Sequence, residues 1–213
     1  MKLDALTEFL YSRLGEKLPG KSAHDLMKPK HKSGAPIRIK HTVAPKEGGV
    51  LILLYEENGE VKFPLIRRPE YDGIHSGQVA FPGGRREDSD QDLIHTALRE
   101  AEEEIGVSQN EVNIIGNLSR FFVAASNYDI LPVIGFTEKT PEFRPDPREV
   151  SDILIPSAMD LIDNRNLRTT DITVRNGFKL YSPYFDLQDH IVWGATAMML
   201  SELKAVLQDY TLR

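Results

Sequence analysis

Apolar residues recur at helical spacing at Leu3, Leu6, Phe9, Leu10 and Leu14, which predicts an amphipathic helix at the start of the chain. From about Gly15 to Gly49 no period is present and Pro19, Pro29, Pro36 and Pro45 punctuate the text, so an irregular arm wrapped on the domain is expected. VLILLY (50–55) and VKFPLIRR (61–68) flank Asn58-Gly59, a strong hairpin signal. A short strand, QVAF (78–81), then runs into Pro82-Gly83-Gly84. A well-marked helix is expected from about Asp90 to Ile105, stopped by Gly106. Further strands are expected over 111–118, 130–137 and near 150–155, and Asn176-Gly177 joins TDITVR to FKLYSPYF in a second hairpin. A closing helix runs from about Ala195 to Gln208. Many strands, mostly antiparallel by their turns, and two substantial helices predict an α/β sandwich in which helices cover a mixed sheet. One domain over 1–213 is expected, with the helix and basic arm in 1–49 and the core in 50–213.

Composition narrows the chemistry. Cys is absent, which excludes disulfide scaffolds, Cys-based zinc sites and thiol catalysis. No stretch approaches the roughly 20 apolar residues of a membrane span, and the charged N-terminal segment has no apolar signal region, so a soluble cytoplasmic protein is expected. The net charge of −6 divides into +5 over residues 1–50 and −11 over the remainder. The basic run KPKHKSGAPIRIK (28–40) could hold phosphate, but no aromatic residue is interleaved and the rest of the chain is acidic. A solvated loop is the expectation, and no nucleic-acid partner.

The informative text runs from Gly84 to Val107, GRREDSDQDLIHTALREAEEEIGV. On a helical wheel, Ile94, Ala97, Leu98, Ala101 and Ile105 form one apolar stripe. Glu100, Glu103 and Glu104 crowd beside it, while Glu102 points to solvent. Each i,i+4 like-charge pair costs about 0.2–0.5 kcal/mol, and a divalent cation turns that cost into a gain. Carboxylate oxygens are what Mg²⁺ and Mn²⁺ select. Arg99 can hold a carboxylate through both arms of its fork, with Asp90 or one of the glutamates as partner. An acidic helix face alone is usually just solvated; the Gly83-Gly84 turn before it, able to present a backbone carbonyl, tips the reading toward a metal site.

Gly84 to Val107 resembles the Nudix box, Gly-x5-Glu-x7-Arg-Glu-U-x-Glu-Glu-x-Gly-U with U bulky and apolar. The matching residues are Gly84, Arg99, Glu100, Ala101, Glu103, Glu104, Gly106 and Val107. Asp90 stands at the first carboxylate, one residue further than usual from Arg99. Upstream, LIRRPEYDGIHSGQVAFPGG (65–84) is similar to the segment that marks the coenzyme A pyrophosphatase branch, through Arg68, His75, Gly77, Gln78, Phe81, Pro82, Gly83 and Gly84. That branch also carries Asp at the place of Asp90 and the longer spacing. PDPREV (145–150) and HIVWGATA (190–197) resemble it too, whereas Gly73 stands where the branch usually has Arg.

The resemblance implies a Nudix-type α/β/α sandwich and a pyrophosphohydrolase using Mg²⁺ or Mn²⁺. Its implied substrate is coenzyme A or a thioester, cut to 3′,5′-ADP and 4′-phosphopantetheine or the acyl form. Gly73 keeps ADP-ribose or NADH open as the alternative, and a non-catalytic nucleotide-binding module is the third reading. Glu100, Glu103, Glu104 and Arg99 are the implied catalytic set, with Glu100, Glu103, Glu104 and the Gly84 carbonyl as metal ligands. Asp90 and Gly106 are implied to be structural. Glu100, Glu103 or a loop carboxylate such as Glu149 could act on the water. Arg68, His75, Gln78 and Arg85 are the implied substrate contacts, a small nucleotide the partner, and a homodimer the candidate assembly. Strand alternation puts Arg67 and Arg68 on opposite faces, so one of them at most lines the site. His75 could equally order its loop, and Trp193 is expected in the core rather than on a base. Tyr71, Phe121 and Phe122 could cover a base.

Overall fold

The computed structural model describes residues 1–32, 39–70, 76–174, 177 and 179–212. Helix α1 (Leu3–Arg13) buries Leu3, Leu6, Phe9 and Leu10, as its spacing predicts. The arm after it is more ordered than its prolines suggest. It holds α2 (Lys21–His24), a 3₁₀ turn over Asp25–Met27 and the two-residue strand β1 (Lys30–His31). Glu202, wholly buried in the closing helix, organises it. The carboxylate accepts the Gly20 N–H at 2.9 Å, the Ser119 N–H at 3.2 Å and the Ser119 hydroxyl at 2.6 Å, and lies 2.8 Å from His24 Nε2. An anchor of this kind leaves no period in the sequence.

Strand β2 (Lys46–Glu57) starts at Lys46 rather than Val50, and turns through Asn58-Gly59 into β3 (Glu60–Lys62). Both turn residues have positive φ, as a two-residue hairpin of this sequence requires. There follow β4 (Leu65–Arg67), β5 (Val79–Ala80), β6 (Gly83–Arg85), α3 (Leu93–Ile105), β7 (Asn113–Asn117), β8 (Phe121–Val123), β9 (Tyr128–Phe136) and β10 (Asp152–Leu154). The chain ends with α4 (Ala158–Ile162), β11 (Leu167–Thr173), β12 (Lys179–Leu187), β13 (His190–Val192) and α5 (Gly194–Thr211). The strand expected over 61–68 is therefore two strands. Pro64 has no N–H for a ladder, and beyond it β4 leaves β2 to pair with β5 and β10.

The central sheet runs β3-β2-β9-β7, with β6 joined to β2 and β8 to β9. Most strand pairs are antiparallel, as expected, and the long central pair β2–β9, parallel from Lys46↔Tyr128 to Leu54↔Phe136, is what makes the sheet mixed. β2 is buried on both faces, as a central parallel strand must be. Val50, Ile52 and Leu54 pack with Leu6 and Leu10 of α1 and Leu200, Leu203 and Leu207 of α5. Leu51 and Leu53 pack with Ala97, Ala101 and Ile105 of α3. Helices on both faces of a mixed sheet make the α/β/α sandwich. Two smaller sheets, β10-β4-β5 and β1-β12-β11 with β13 on β12, extend it. Asn176 of the second hairpin lies outside the described residues, and β11 and β12 pair on either side of it. Among the described residues no helix is long and apolar enough to cross a membrane.

Candidate active site

α3 lies almost flush on β2. A Cβ at Gly49 would sit 2.3 Å from the Leu93 carbonyl oxygen, so only glycine permits this approach. Asp92 caps the helix by accepting the His95 N–H at 2.8 Å, and Gly106 ends it. The observed helix starts later than Asp90 because Asp90 is spent otherwise. Its buried carboxylate accepts the Glu87 N–H at 2.9 Å, the Thr96 hydroxyl at 2.9 Å, and Arg99 Nε and Nη2 at 3.0 and 3.1 Å. His95 Nδ1 lies 3.0 Å away. Arg99 is the main reason that this carboxyl is held well below the usual range. Arg99 is thereby locked: the same guanidinium donates to the Arg85 carbonyl at 3.1 Å and reaches Glu103 and Glu100, each at 3.0 Å. The bidentate role expected of Arg99 thus falls to Asp90, with the glutamates as further partners. His95 and Thr96, which no motif pointed to, complete the cradle.

The three glutamates meet different surroundings on one helix face. Glu104 is buried, and its Oε2 accepts the Gly83 N–H at 2.8 Å. Its Oε1, equally buried, receives no hydrogen bond; Arg68 Nη2 stands 3.3 Å from it. Burial pushes the Glu104 carboxyl up to about 7, against the pull of Arg68. Glu100 is half-buried, and a Cβ at Gly84 would lie 2.4–2.5 Å from its carboxylate, so the Gly-Gly turn makes room for this side chain. Burial raises the Glu100 carboxyl too, and the charges of Glu103 and Glu149 add to the effect. Glu103 is exposed and Glu102 faces solvent, paired with Gln109 at 2.8 Å.

Arg68 also donates to the Gly83 carbonyl at 3.2 Å, which sets it beside Glu104. Arg67 turns the other way and lies 3.5 Å from Glu70. It borders a cleft of about 630 Å³ with Gln78, His190 and Trp193. Trp193 is half-buried at the start of α5 rather than in the core, because it stands at the rim of this cleft. Arg85 is exposed on β6 beside Lys46 and Arg86. Phe122 is exposed against His41, with ring centroids 6.0 Å apart. Glu149 sits on a loop tied to the end of α3 by Arg144 N–H to the Ile105 carbonyl (2.8 Å) and Asp146 N–H to the Glu104 carbonyl (3.1 Å). Tyr71, Gly73 and His75 lie outside the described residues.

Two observations bear on a metal ion. The donor set on this face is all oxygen, which suits Mg²⁺ or Mn²⁺, and Glu104 Oε1 is a buried acceptor that receives no hydrogen bond. Among the described residues, however, no three acidic or histidine side chains are gathered to grip an ion as they stand. Arg99 draws Glu100 and Glu103 to itself, and Arg68 faces Glu104. The residues fit the ion chemically and need the glutamates to swing from arginine to metal.

A family model described as the NUDIX domain matches residues 45–172. The chain is 32% identical over 182 residues to Nudix hydrolase 22, chloroplastic, of Arabidopsis thaliana, covering 82% of this chain and 58% of that protein. It is 35% identical over 173 residues to Nudix hydrolase 15, mitochondrial, of the same plant, covering 78% and 60%. With the protein named uncharacterized Nudix hydrolase NudL of Photorhabdus laumondii it shares 31% identity over 144 residues, covering 68% and 76%. The chain therefore spans somewhat under two thirds of the length of the two plant relatives. Among solved structures, the Nudix hydrolase RenU from M. smegmatis aligns with a TM-score of 0.52 at 14% identity, over 87% of this chain and 95% of that one. The C. elegans Ap4A hydrolase binary complex aligns with 0.50 at 12%, over 78% and 96%. At these identities the likeness is one of fold.

Proposed function

The chain belongs to the Nudix family, and from that premise we propose that it hydrolyses the pyrophosphate of coenzyme A or its thioesters, in the presence of Mg²⁺ or Mn²⁺. The products are 3′,5′-ADP and 4′-phosphopantetheine or its acyl form. One observation carries the hydrolytic reading: a buried carboxylate, Glu104, with one oxygen fixed by the Gly83 N–H and the other without a hydrogen bond. Glu104 and Glu100, with Glu103 and the Gly84 carbonyl, are the residues that would hold the ion. When bound, such an ion neutralises phosphate charge and makes a water molecule more acidic. Glu100, Glu103 or a loop carboxylate such as Glu149, whose charges act on one another, would orient or deprotonate that water. Asp90 keeps Arg99 in place, and Arg99 keeps Glu100 and Glu103 on the reacting side of α3. Arg68, Arg85 and Gln78 would face the substrate, with His75 as a further contact. Of the two arginines on β4, Arg68 is the one turned to Glu104, which supports it as the phosphate contact of the branch-like segment. A cytoplasmic location belongs to the same reading.

The test is hydrolysis of coenzyme A beside ADP-ribose, NADH and diadenosine polyphosphates, with Mg²⁺ or Mn²⁺ and with chelator. Metal-dependent release of 3′,5′-ADP, fastest from coenzyme A, is the expected result. Faster turnover of another member keeps the chemistry and discards the coenzyme A assignment. No turnover with any of them returns the chain to the nucleotide-binding reading.

A further inference from the structure

The two arginines beside the glutamates are held very differently. Arg99 is gripped by Asp90 through two nitrogens and by the Arg85 carbonyl, and Asp90 is in turn fixed by Glu87 and Thr96. Such a guanidinium has nowhere to go. Among the described residues the Arg68 guanidinium donates to the Gly83 carbonyl at 3.2 Å, and makes a 3.3 Å approach to Glu104 Oε1 that is no hydrogen bond. Its side chain is 26% exposed against 13% for Arg99, so it retains a route to solvent. Arg68 is the cation facing the buried oxygen that the metal reading requires, and among the described residues it is the less tightly held of the two.

We infer that Arg68 is the exchangeable counter-ion of Glu104: a divalent ion takes the oxygen that Arg68 now faces, and the released guanidinium turns to an anionic phosphate of the substrate. This rests on the metal-dependent reading of the site. Arg68 neutralises a carboxylate that burial would otherwise leave without any opposite charge. It is also a competitor that each arriving ion must displace. Because the displaced fork matches phosphate oxygens, metal loading and phosphate binding are coupled, and each strengthens the other by the same factor. Arg68 is thus a positioning residue for the metal before it is a contact for the substrate.

The experiment is a calorimetric titration of Mn²⁺ into the metal-free protein without nucleotide, for the wild type and for Arg68→Ala, Arg68→Met, Arg68→Lys and Arg67→Ala. A pH of about 8.5 keeps the Glu104 carboxyl, which burial pushes up to about 7, largely ionised. Removing the competitor should tighten Mn²⁺ binding about tenfold in Arg68→Ala. Arg68→Met, which keeps the apolar stem, should do the same, and Arg68→Lys should fall between. Arg67→Ala, on the opposite side of β4, should match the wild type. A second titration with ADP, with and without Mn²⁺, should lose most of its metal dependence in Arg68→Ala. If the wild type binds Mn²⁺ and neither Arg68→Ala nor Arg68→Met, both folded by circular dichroism, binds it more tightly, the counter-ion role is wrong and the metal reading stands. If the wild type takes up no Mn²⁺, both fall together.

Discussion

Replacing Asp90 with Ala tests whether the site hangs on one buried carboxylate. In the wild type that carboxylate has 0% exposure and accepts hydrogen bonds from Glu87, Thr96 and both Arg99 Nε and Nη2. Ala leaves the Arg99 Nε without a partner in a side chain only 13% exposed, and leaves the Glu87 N–H without an acceptor. Breaking a buried ion pair by removing one member costs about 3–5 kcal/mol. At about 2–4 °C per kcal/mol for a chain of this size, the melting temperature should fall by about 6–20 °C. Asp90→Asn, which keeps the volume and one acceptor, should fall by less. The pH dependence has a definite sign. The folded carboxyl titrates well below its ordinary value of 3.8, so its contribution is complete above that value and is lost as pH falls through the folded one. The gap in melting temperature between wild type and Asp90→Ala is therefore full at neutral pH and narrows only in strong acid. Thermal unfolding followed by circular dichroism measures both. A gap under about 2 °C at neutral pH, or one that widens on acidification, refutes the anchoring role.

Glu104 carries the opposite sign: a folded value raised to about 7 from 4.5 means that stability falls as pH rises across that interval in the metal-free protein. Adding Mn²⁺ should restore it, and Glu104→Gln should flatten the slope while lowering turnover by more than about 100-fold, beyond the usual effect of an outer-shell change; melting curves across pH and steady-state rates decide this. Gly84→Ala puts a methyl group 2.4 Å from the Glu100 carboxylate and should cut turnover about 10–100-fold with little change in melting temperature, a split that a purely structural glycine would not give. Glu202→Ala removes the acceptor shared by Gly20, Ser119 and His24, at a cost of about 3–5 kcal/mol. Limited proteolysis should then cut between Gly15 and His31 first, and cutting elsewhere would count against the anchor.

What the sequence made legible is whatever repeats along it or has a fixed local geometry. The period of α1 and α3, the Asn58-Gly59 hairpin and the spacing of Glu100, Glu103 and Glu104 all belong to that class. What it hid depends on partners far apart in the chain. The order of the arm comes from Glu202, some 180 residues away. The parallel pairing of β2 with β9 joins strands separated in the chain by the six strands β3–β8 and by α3, and no turn residue announces such a crossover. The strand expected over 61–68 breaks at Pro64, and no local pattern tells which sheet β4 joins.

The same division runs through the site itself. Residue types and spacing made the three glutamates and Arg99 candidates, and the resemblance of 65–84 added Arg68, yet on that ground Arg68 and Arg99 are equivalent cations near acidic groups. Their difference lies in third parties. Arg99 is fixed because Asp90, itself saturated by Glu87 and Thr96, holds two of its nitrogens. Arg68 is held less tightly, because among the described residues its guanidinium donates to a backbone carbonyl alone. One arginine therefore acts as part of the scaffold and the other as a movable charge. A site that must pass from carboxylates neutralised by arginine to carboxylates holding an ion needs one of each: a rigid cation to aim Glu100 and Glu103, and a labile one to give up Glu104.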